Sequence, residues 1–394
     1  MVRSSDIYEI RLFDRTLLEF SFGDFEPAVL HDWDDSAPQL LPCGLEPNSE
    51  SLWTWLSTRA IPQNRQFAGE ICRSLGLSPA DRSGILEVSR GLSLNDSYWI
   101  VPRGFDGTFD EFNLFENGFS AVLAAVAYTG IASELNGLTP STPELTTNGS
   151  LRKAWRIAPD GSRQLFKGSS VSDAHVGEAR VEFLVSQVEQ ALEIDHASYS
   201  LESWGDGDGL PCSVCNCFCT RELSYVPQAL AFGQSSHAAA VSSYLGWNAE
   251  QFERYASMMV LDALICNTDR HLTNFGVMRD AHTGEILRTA PVFDNGRSLF
   301  FNLAFDQTDN FSLEAEMALP SWAQVTFPEQ AAHLMGDVQR AQLERLATFE
   351  FENSGQFPFP PSYLDALSTF VRQRAEGLCE LPVVNRDELR ARIG

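Results

Sequence analysis

The stretch Asn267-Thr268-Asp269-Arg270-His271-Leu272-Thr273-Asn274-Phe275-Gly276, followed by Ala290-Pro291-Val292-Phe293-Asp294-Asn295-Gly296, decides the interpretation of this 394-residue chain. It combines an aspartate, an asparagine five positions later, and a second aspartate beside a turn. Phosphoryl transfer from ATP uses this set, because one carboxylate orients the attacking hydroxyl and the other two side chains hold Mg²⁺ against the phosphates. The pattern predicts Asp269 as the catalytic base and Asn274 and Asp294 as metal ligands.

The chain between the two halves predicts a hairpin, with a strand over residues 276–280, a turn at 281–284 and a returning strand from Ile286. Such a hairpin brings Asn274 and Asp294 back to the same place. Either half alone is explained more simply as a polar turn, since Asp-Asn-Gly is a common turn sequence. Both halves together, after a helical run, favour the catalytic interpretation.

The loop resembles that of two kinase groups, the HipA-like bacterial serine/threonine kinases and the phosphatidylinositol kinases, whose loop also contains Asp-Arg-His-x-x-Asn. Ordinary eukaryotic protein kinases share the Asp-x-x-x-x-Asn spacing but place His-Arg before the aspartate. The resemblance to the HipA-like group extends from about residue 6 to the C-terminus. It implies ATP and Mg²⁺ as cofactors and the same roles for Asp269, Asn274 and Asp294. The resemblance also implies that Asn267, Arg270 and His271 support the loop.

A nucleotide-binding loop is predicted upstream, at residues 146–150, before a hairpin that turns at Asp160-Gly161. Small residues let backbone N–H groups approach phosphates without side-chain clashes. The predicted nucleotide-binding residues in this loop are Asn148, Gly149 and Ser150. The loop has a single glycine, so a plain hairpin remains an alternative, although HipA-like kinases also lack the full glycine pattern.

Lysine is almost absent from the chain, where it occurs at Lys153 and Lys167 while arginine supplies every other cation. A compact ammonium group suits phosphate binding. Lys167 ends a predicted strand before a glycine, so we predict that it contacts the α- and β-phosphates. Lys153 is the second candidate, and two ordinary surface lysines are the remaining alternative.

A glutamate on the next helix is expected to hold this lysine. Apolar residues recur at three- and four-residue steps between 177 and 194, which predicts an amphipathic helix. Glu178, Glu182 and Glu189 lie along one edge of its apolar stripe. Glu182 aligns best with the HipA-like pattern, Glu178 is its competitor, and a third interpretation makes all three solvated surface charges.

Two predicted strands, at residues 211–219 and 223–227, lead to an interlobe hinge. The backbone near Tyr225 and Val226, and as far as Gln228, is predicted to bind the adenine.

Four cysteines, Cys212, Cys215, Cys217 and Cys219, look like a metal cluster in this region. Zinc sites usually consist of two separated pairs, however. The alternation of 215, 217 and 219 instead predicts one strand face on which they pack as small hydrophobic residues.

The composition narrows the class of protein. With 53 acidic against 28 basic residues, the formal charge is −25, which argues against direct binding to nucleic acid or to an anionic membrane surface. The N-terminus lacks an apolar signal core, and no apolar run is long enough to cross a bilayer. Scattered cysteines fit a reducing compartment, so we expect a cytoplasmic protein.

The predicted fold class is α+β, a bilobal protein-kinase-like fold with a β-rich nucleotide lobe, a helical C-lobe and an additional N-terminal α/β subdomain. The predicted division is 1–138 for the N-terminal subdomain, 139–232 for the nucleotide lobe and 233–394 for the C-lobe, with a linker near 137–143. The chain is predicted to be a serine/threonine protein kinase with a protein substrate and possible autophosphorylation at Ser150, Thr146 or Thr147.

Two other classes remain open, a small-molecule or phosphoinositide kinase and a nucleotide-binding scaffold without activity. HipA-like proteins often belong to toxin–antitoxin pairs, so the resemblance also implies a small helix-turn-helix partner protein.

Overall fold

The structure, a computed structural model, describes residues 6–23, 28–131, 141–205, 209–233, 236–320 and 325–393. The strands are β1 (Ile7–Leu12), β2 (Arg15–Ser21), β3 (Val29–Trp33), β4 (Tyr98–Pro102), β5 (Lys153–Ile157), β6 (Arg163–Lys167), β7 (Tyr199–Ser203), β8 (Pro211–Asn216), β9 (Leu223–Pro227), β10 (Gly276–Asp280) and β11 (Ile286–Thr289). The helices are α1 (Ser49–Thr58), α2 (Ala68–Ser74), α3 (Arg82–Ser89), α4 (Phe109–Phe112), α5 (Ala121–Thr129), α6 (Glu178–Ala191), α7 (Gln228–Ala231), α8 (His237–Trp247), α9 (Ala249–Ile265), α10 (Phe311–Met317), α11 (Phe327–Leu334), α12 (Asp337–Glu344), α13 (Pro361–Cys379) and α14 (Arg386–Ile393). Antiparallel sheets and separate helices make this an α+β protein, as predicted.

The residues group into two compact units. The first contains residues 1–167, 216–226 and 278–287, and the second contains 168–215, 227–277 and 288–394. The predicted linker falls largely outside the described residues, and the predicted three-part division remains a prediction.

A four-stranded antiparallel sheet in the order β3–β2–β1–β4 organises the start of the first unit. Ile10 of β1 pairs with Leu18 of β2 and Ile100 of β4, and all three side chains are buried. Strands β1 and β2 form a hairpin, in which Leu12 pairs with Arg15 next to the turn. Later in the unit, β5 and β6 form the second predicted hairpin, with Lys153 opposite Lys167 in its register.

Helix α9 is the central helix of the second unit, where it packs against α8, α11, α12 and α13. Asn248 caps its N-terminus by accepting a hydrogen bond from the Gln251 N–H at 2.9 Å. At the other end Cys266 takes a left-handed conformation, with φ of 56°, which stops the helix and turns the chain into the predicted catalytic loop.

Helices α11 and α12 are separated at Met335-Gly336, because Met335 leaves the helical conformation and α12 starts after Gly336. The strand predicted over 211–219 ends at Asn216, so Cys217 and Cys219 do not belong to it, and the prediction of one cysteine-lined strand face is wrong.

Among the described helices, none combines the length and apolar character that crossing a bilayer requires.

Candidate active site

The loop after α9 is held from within by asparagine side chains. Asn267 accepts a hydrogen bond from the Asp269 N–H at 3.1 Å, and its amide donates to the Asp262 carboxylate at 2.9 Å. Asn274 donates from Nδ2 to the Asp269 carbonyl oxygen at 2.9 Å. Asn267 and Asn274 are buried, whereas the Asp269 side chain is 39% exposed. The backbone of Asp269 is therefore fixed while its carboxylate remains accessible to a substrate.

Arg270 joins this loop to the Asp294 segment. Its guanidinium pairs with Asp262 at 3.0 Å, and both side chains are 1% exposed. Nη1 donates to the carbonyl oxygens of Asn274 at 2.9 Å and Phe293 at 2.7 Å, and Nη2 donates to the Asn295 side chain. Burial lowers the pKa of Arg270, but the adjacent Asp262 carboxylate outweighs it and the net pKa is raised. A charged arginine side chain thus binds the main-chain carbonyl oxygen of one predicted metal ligand, Asn274, and that of Phe293, which precedes the other, Asp294.

Asp294 lies at a turn with φ of 61°, in the left-handed region that aspartate and asparagine tolerate better than most residues. The Tyr199 hydroxyl accepts a hydrogen bond from its N–H at 3.4 Å. The next N–H, of Asn295, donates to Glu182 Oε2 at 3.0 Å. Helix α6 therefore positions the Asp294 turn through the carboxylate of Glu182.

The three glutamates of α6 are buried, with exposed fractions of 3% for Glu178, 2% for Glu182 and 0% for Glu189. The interpretation that made them solvated charges is wrong. Glu178 accepts hydrogen bonds from the N–H and hydroxyl of Ser170, so it closes the loop before α6. The choice between Glu178 and Glu182 as partner of the lysine remains a prediction.

Glu189 is the most deeply buried carboxyl group of this network. Its Oε1 accepts a hydrogen bond from the Asn295 amide at 2.9 Å, and its Oε2 has no hydrogen-bond partner within the described part of the chain. Burial raises the pKa of Glu189 well above its usual range, opposed by Arg270 and reinforced by the neighbouring Glu182. Burial and the neighbouring Glu182 and Asp262 carboxylates thus disfavour the charged form of Glu189.

We expect Glu189→Gln to leave the free energy of unfolding at pH 7 unchanged or higher, and to flatten its dependence on pH. As pH rises above the ordinary glutamate pKa, an unfolded chain loses this proton while the folded one keeps it. The parent therefore loses stability with rising pH, by at most about 1.4 kcal/mol per pH unit for one group. Urea unfolding from pH 4.5 to 8 measures this, with the exposed Glu316→Gln variant as control. A Glu189→Gln variant that is less stable than the parent at pH 7 contradicts the raised pKa of Glu189.

The predicted phosphate loop lies in the first unit, and Lys153 points toward it. Gly149 has φ of 95°, and a Cβ built there would overlap Nζ of Lys153. The ammonium group therefore lies directly over the Gly149 backbone. Asn148, Gly149 and Ser150 are exposed, whereas Lys153 and Lys167 are each 7% exposed. The alternative of two surface lysines is excluded by this burial.

A buried ion pair supports the strand that carries Lys153. Arg65 donates to the Glu144 carboxylate at 2.8 Å, and both side chains are fully buried. Arg65 also donates to the carbonyl oxygens of Thr147 at 3.2 Å and Lys153 at 2.6 Å. Glu144 accepts the Trp155 N–H at 2.7 Å. One arginine thus fixes both sides of residues 147–153.

Two main-chain N–H groups of the predicted adenine-binding segment are already hydrogen-bonded within the protein. The Tyr225 N–H donates to the Asn95 carbonyl at 2.8 Å, and the Gln228 N–H donates to the Phe275 carbonyl at 2.9 Å. Adenine recognition by these two N–H groups is therefore disfavoured. Val226 is 7% exposed, and its role in adenine binding remains a prediction.

His271 differs from the other predicted loop supports. It is exposed, and its Nδ1 lies 2.8 Å from the Thr273 hydroxyl. This hydrogen bond joins two residues of the same loop. Asn267 and Arg270 reach other elements instead.

The oxygen donors of the loop fit Mg²⁺, which proteins usually bind through one or two carboxylates together with phosphates and water. Since Nδ2 of Asn274 is held by the Asp269 carbonyl, Oδ1 is its atom suited to a cation. Asp294 would supply the carboxylate. Among the described residues, no group of three or more histidine, cysteine or acidic side chains is arranged to hold a metal ion.

The sequence analysis did not assign a role in this network to Asp262, to Asn295, or to Glu189 as the partner of Asn295. Only Asp262 could have been found from the sequence, because it interrupts the apolar run from Met258 to Ile265. A charged residue in such a run is buried and needs a partner.

The fold is that of a HipA-like kinase over nearly the whole chain. The chain is similar to the solved structure of HipA in the Shewanella oneidensis MR-1 toxin–antitoxin complex of HipA, HipB and operator DNA. It covers 98% of this chain and 99% of that one, with a TM-score of 0.56 and 13% sequence identity. The chain is also similar to the Helicobacter pylori proinflammatory kinase CtkA, over 61% of this chain and 94% of that one, with a TM-score of 0.42 and 12% identity. No protein-family model and no curated protein matches the sequence.

Proposed function

We propose that the protein is an ATP- and Mg²⁺-dependent serine/threonine protein kinase. The observation that carries this proposal is the buried Arg270, which binds the carbonyl oxygens of Asn274 and Phe293 and so fixes the Asp269 loop and the Asp294 turn together. Phosphoryl transfer depends mainly on such positioning of charged groups. The kinase fold shared with HipA supports the same activity.

In this proposal Asp269 orients the substrate hydroxyl and accepts its proton, and Asn274 and Asp294 hold Mg²⁺. Bound Mg²⁺ supplies neutralisation of the phosphate charge. Lys167, held by Glu182, contacts the α- and β-phosphates, with Lys153 as the second candidate. Lys153 and Lys167 are opposite each other in the β5–β6 ladder.

A labelling assay with γ-³²P-ATP tests the proposal. Transfer to protein that requires Mg²⁺ and stops with a chelator supports it. Transfer to sugars or inositides and never to protein indicates a small-molecule kinase instead. Nucleotide binding by calorimetry without any transfer indicates a non-catalytic scaffold.

We expect autophosphorylation at Ser150 rather than at Thr146 or Thr147. Ser150 is exposed, whereas Thr146 is buried with its hydroxyl donating to the Leu92 carbonyl at 2.7 Å. The Thr147 hydroxyl donates to the Pro143 carbonyl at 2.7 Å and accepts from Trp155 Nε1 at 3.0 Å. Intact-mass analysis after incubation with Mg-ATP should show one added phosphate in the parent and in Thr147→Val, and none in Ser150→Ala. Full phosphorylation of Ser150→Ala contradicts the assignment.

We also propose a cytoplasmic location and a small helix-turn-helix partner protein, because the similar HipA structure contains HipB and operator DNA. The formal charge of −25 argues that any DNA contact is made through the partner. Co-purification of the chain with the product of a neighbouring small gene tests this. Tight binding of the isolated chain to DNA at physiological salt contradicts it.

A further inference from the structure

Cys217 and Cys219 form a thiol pair in the irregular segment that follows β8. The Cys217 thiol lies 3.5 Å from the Leu94 carbonyl oxygen and 3.6 Å from that of Cys219, and the two side chains influence each other's pKa. Both are free cysteines, with Cys217 partly exposed and Cys219 7% exposed. Residues two apart span at most about 7 Å, close to the Cα separation of about 4.4–6.8 Å in disulfides. The pair is thus placed for a bond between its sulfurs.

The pKa of the Cys217 thiol is lowered from its usual value, although its sulfur also lies near two carbonyl oxygens. Its N–H donates to the Arg163 carbonyl at 2.7 Å, which holds it beside the Arg163 side chain. Hydrogen bonds from Arg163 Nε and Nη2 go to the main-chain carbonyl oxygens of Leu114 and Asn117, each at 3.0 Å, so they do not neutralise its charge. The hydrogen bond from Cys219 lowers the pKa of Cys217, and the Arg163 guanidinium adds to this against burial. Cys219 has the opposite shift, since its hydrogen bond to Cys217 and its burial raise its pKa. One thiol is therefore the nucleophile and the other the resolving group.

The pair lies against the segment predicted to bind adenine. The Phe218 ring packs edge-on against Tyr225, with ring centroids 5.8 Å apart. The Tyr225 N–H, which donates to the Asn95 carbonyl, is also within hydrogen-bonding reach of the Cys219 sulfur. Phe218, which lies between the two cysteines in the chain, therefore links the thiol pair to Tyr225.

We propose that a hydroperoxide converts Cys217 and Cys219 into a reversible disulfide, and that this modification weakens nucleotide binding at the Tyr225–Val226 segment. The second half rests on the proposed function, whereas the first half does not.

The chemistry needs only the hydroperoxide as oxidant. The Cys217 thiolate attacks its terminal oxygen, so an S–O bond forms, the O–O bond breaks, and the leaving alkoxide takes a proton to become an alcohol. The Cys219 thiol then attacks the sulfenic sulfur, so an S–S bond forms, the S–O bond breaks, and hydroxide leaves with the thiol proton as water. Two thiols lose two hydrogen atoms, and a dithiol restores them.

Mass spectrometry of the full chain after mild hydrogen peroxide treatment tests the disulfide. We expect a loss of two hydrogen atoms, protection of both thiols from alkylation, and reversal by dithiothreitol. Oxidation of Cys217 should be at least about tenfold faster than that of the partly exposed Cys379, whose burial and acidic neighbours raise its pKa. Cys217→Ser should abolish the mass loss. Cys219→Ser should instead leave a sulfenic acid at Cys217 that dimedone traps.

Matched controls separate this pair from the other thiols. Cys212→Ser/Cys215→Ser and Cys379→Ser variants should form the disulfide as the parent does. Oxidation confined to other cysteines, or a disulfide that survives in Cys217→Ser, overturns the assignment.

Binding of a fluorescent ATP analogue, measured before oxidation, after it and after reduction, tests the second half. We expect a several-fold weaker affinity in the oxidised parent, full recovery with dithiothreitol, and no change in Cys219→Ser. Disulfide formation with unchanged affinity overturns the coupling to the nucleotide. A reduced parent that binds no nucleotide overturns both this coupling and the proposed kinase function, while the disulfide is judged on the mass measurement alone.

Discussion

Asp269→Ala is expected to reduce phosphoryl transfer by about 10²- to 10⁴-fold while nucleotide binding stays within a few-fold of the parent. The carboxylate acts on the attacking hydroxyl, so its loss removes orientation and proton acceptance but no phosphate contact. The loop itself should keep its shape, because the bonds that fix it use the Asp269 N–H and carbonyl oxygen rather than its side chain. Single-turnover transfer and calorimetric titration with Mg-ATP measure the two quantities.

A matched control is the exposed Asp306→Ala, which removes a carboxylate from the same unit and should behave as the parent. Asp269→Asn should be as inactive as Asp269→Ala, because the amide cannot accept the proton. Undiminished transfer by either Asp269 variant shows that another group is the base.

Asp294→Ala is expected to abolish the part of nucleotide affinity that depends on Mg²⁺. Changing groups that merely support a metal ligand costs about 10- to 100-fold in metal affinity, and loss of the ligand should cost at least as much. In the presence of a chelator, which removes Mg²⁺, the affinity of Asp294→Ala for ATP should be close to that of the parent. Titrations with and without Mg²⁺ on parent and variant give the difference directly.

The φ of 61° at residue 294 adds a separate cost for alanine, which fits the left-handed region poorly. Asp294→Asn is therefore the sharper variant, because asparagine tolerates this conformation and only the charge is lost. Retention of the full Mg²⁺ effect in Asp294→Asn means that the metal lies elsewhere.

Local patterns in the sequence predicted the elements that carry the site. The β5–β6 and β10–β11 hairpins follow from turn residues between short apolar runs, and α6 from its three- and four-residue periodicity. These features depend on residues near one another in the chain. Local order is also why the positions of Asp269, Asn274 and Asp294 in loops were predictable.

The network beneath the site was not predictable, because its members meet only in the folded chain. Asn295 binds Glu182 and Glu189, which lie more than 100 positions earlier, and Arg270. Nothing in the sequence spacing specifies these contacts.

The lysines show a similar limit. Lys153 begins β5 and Lys167 ends β6, and the two residues pair with each other, so sequence position alone does not choose between them.

Crystals of the full chain with Mn²⁺ in place of Mg²⁺ and a non-hydrolysable ATP analogue test the central claim most directly. An anomalous peak bound by Asn274 Oδ1 and the Asp294 carboxylate, at about 2.0–2.2 Å, with the γ-phosphate facing Asp269, is the predicted result. A bound nucleotide whose metal contacts neither side chain contradicts the account.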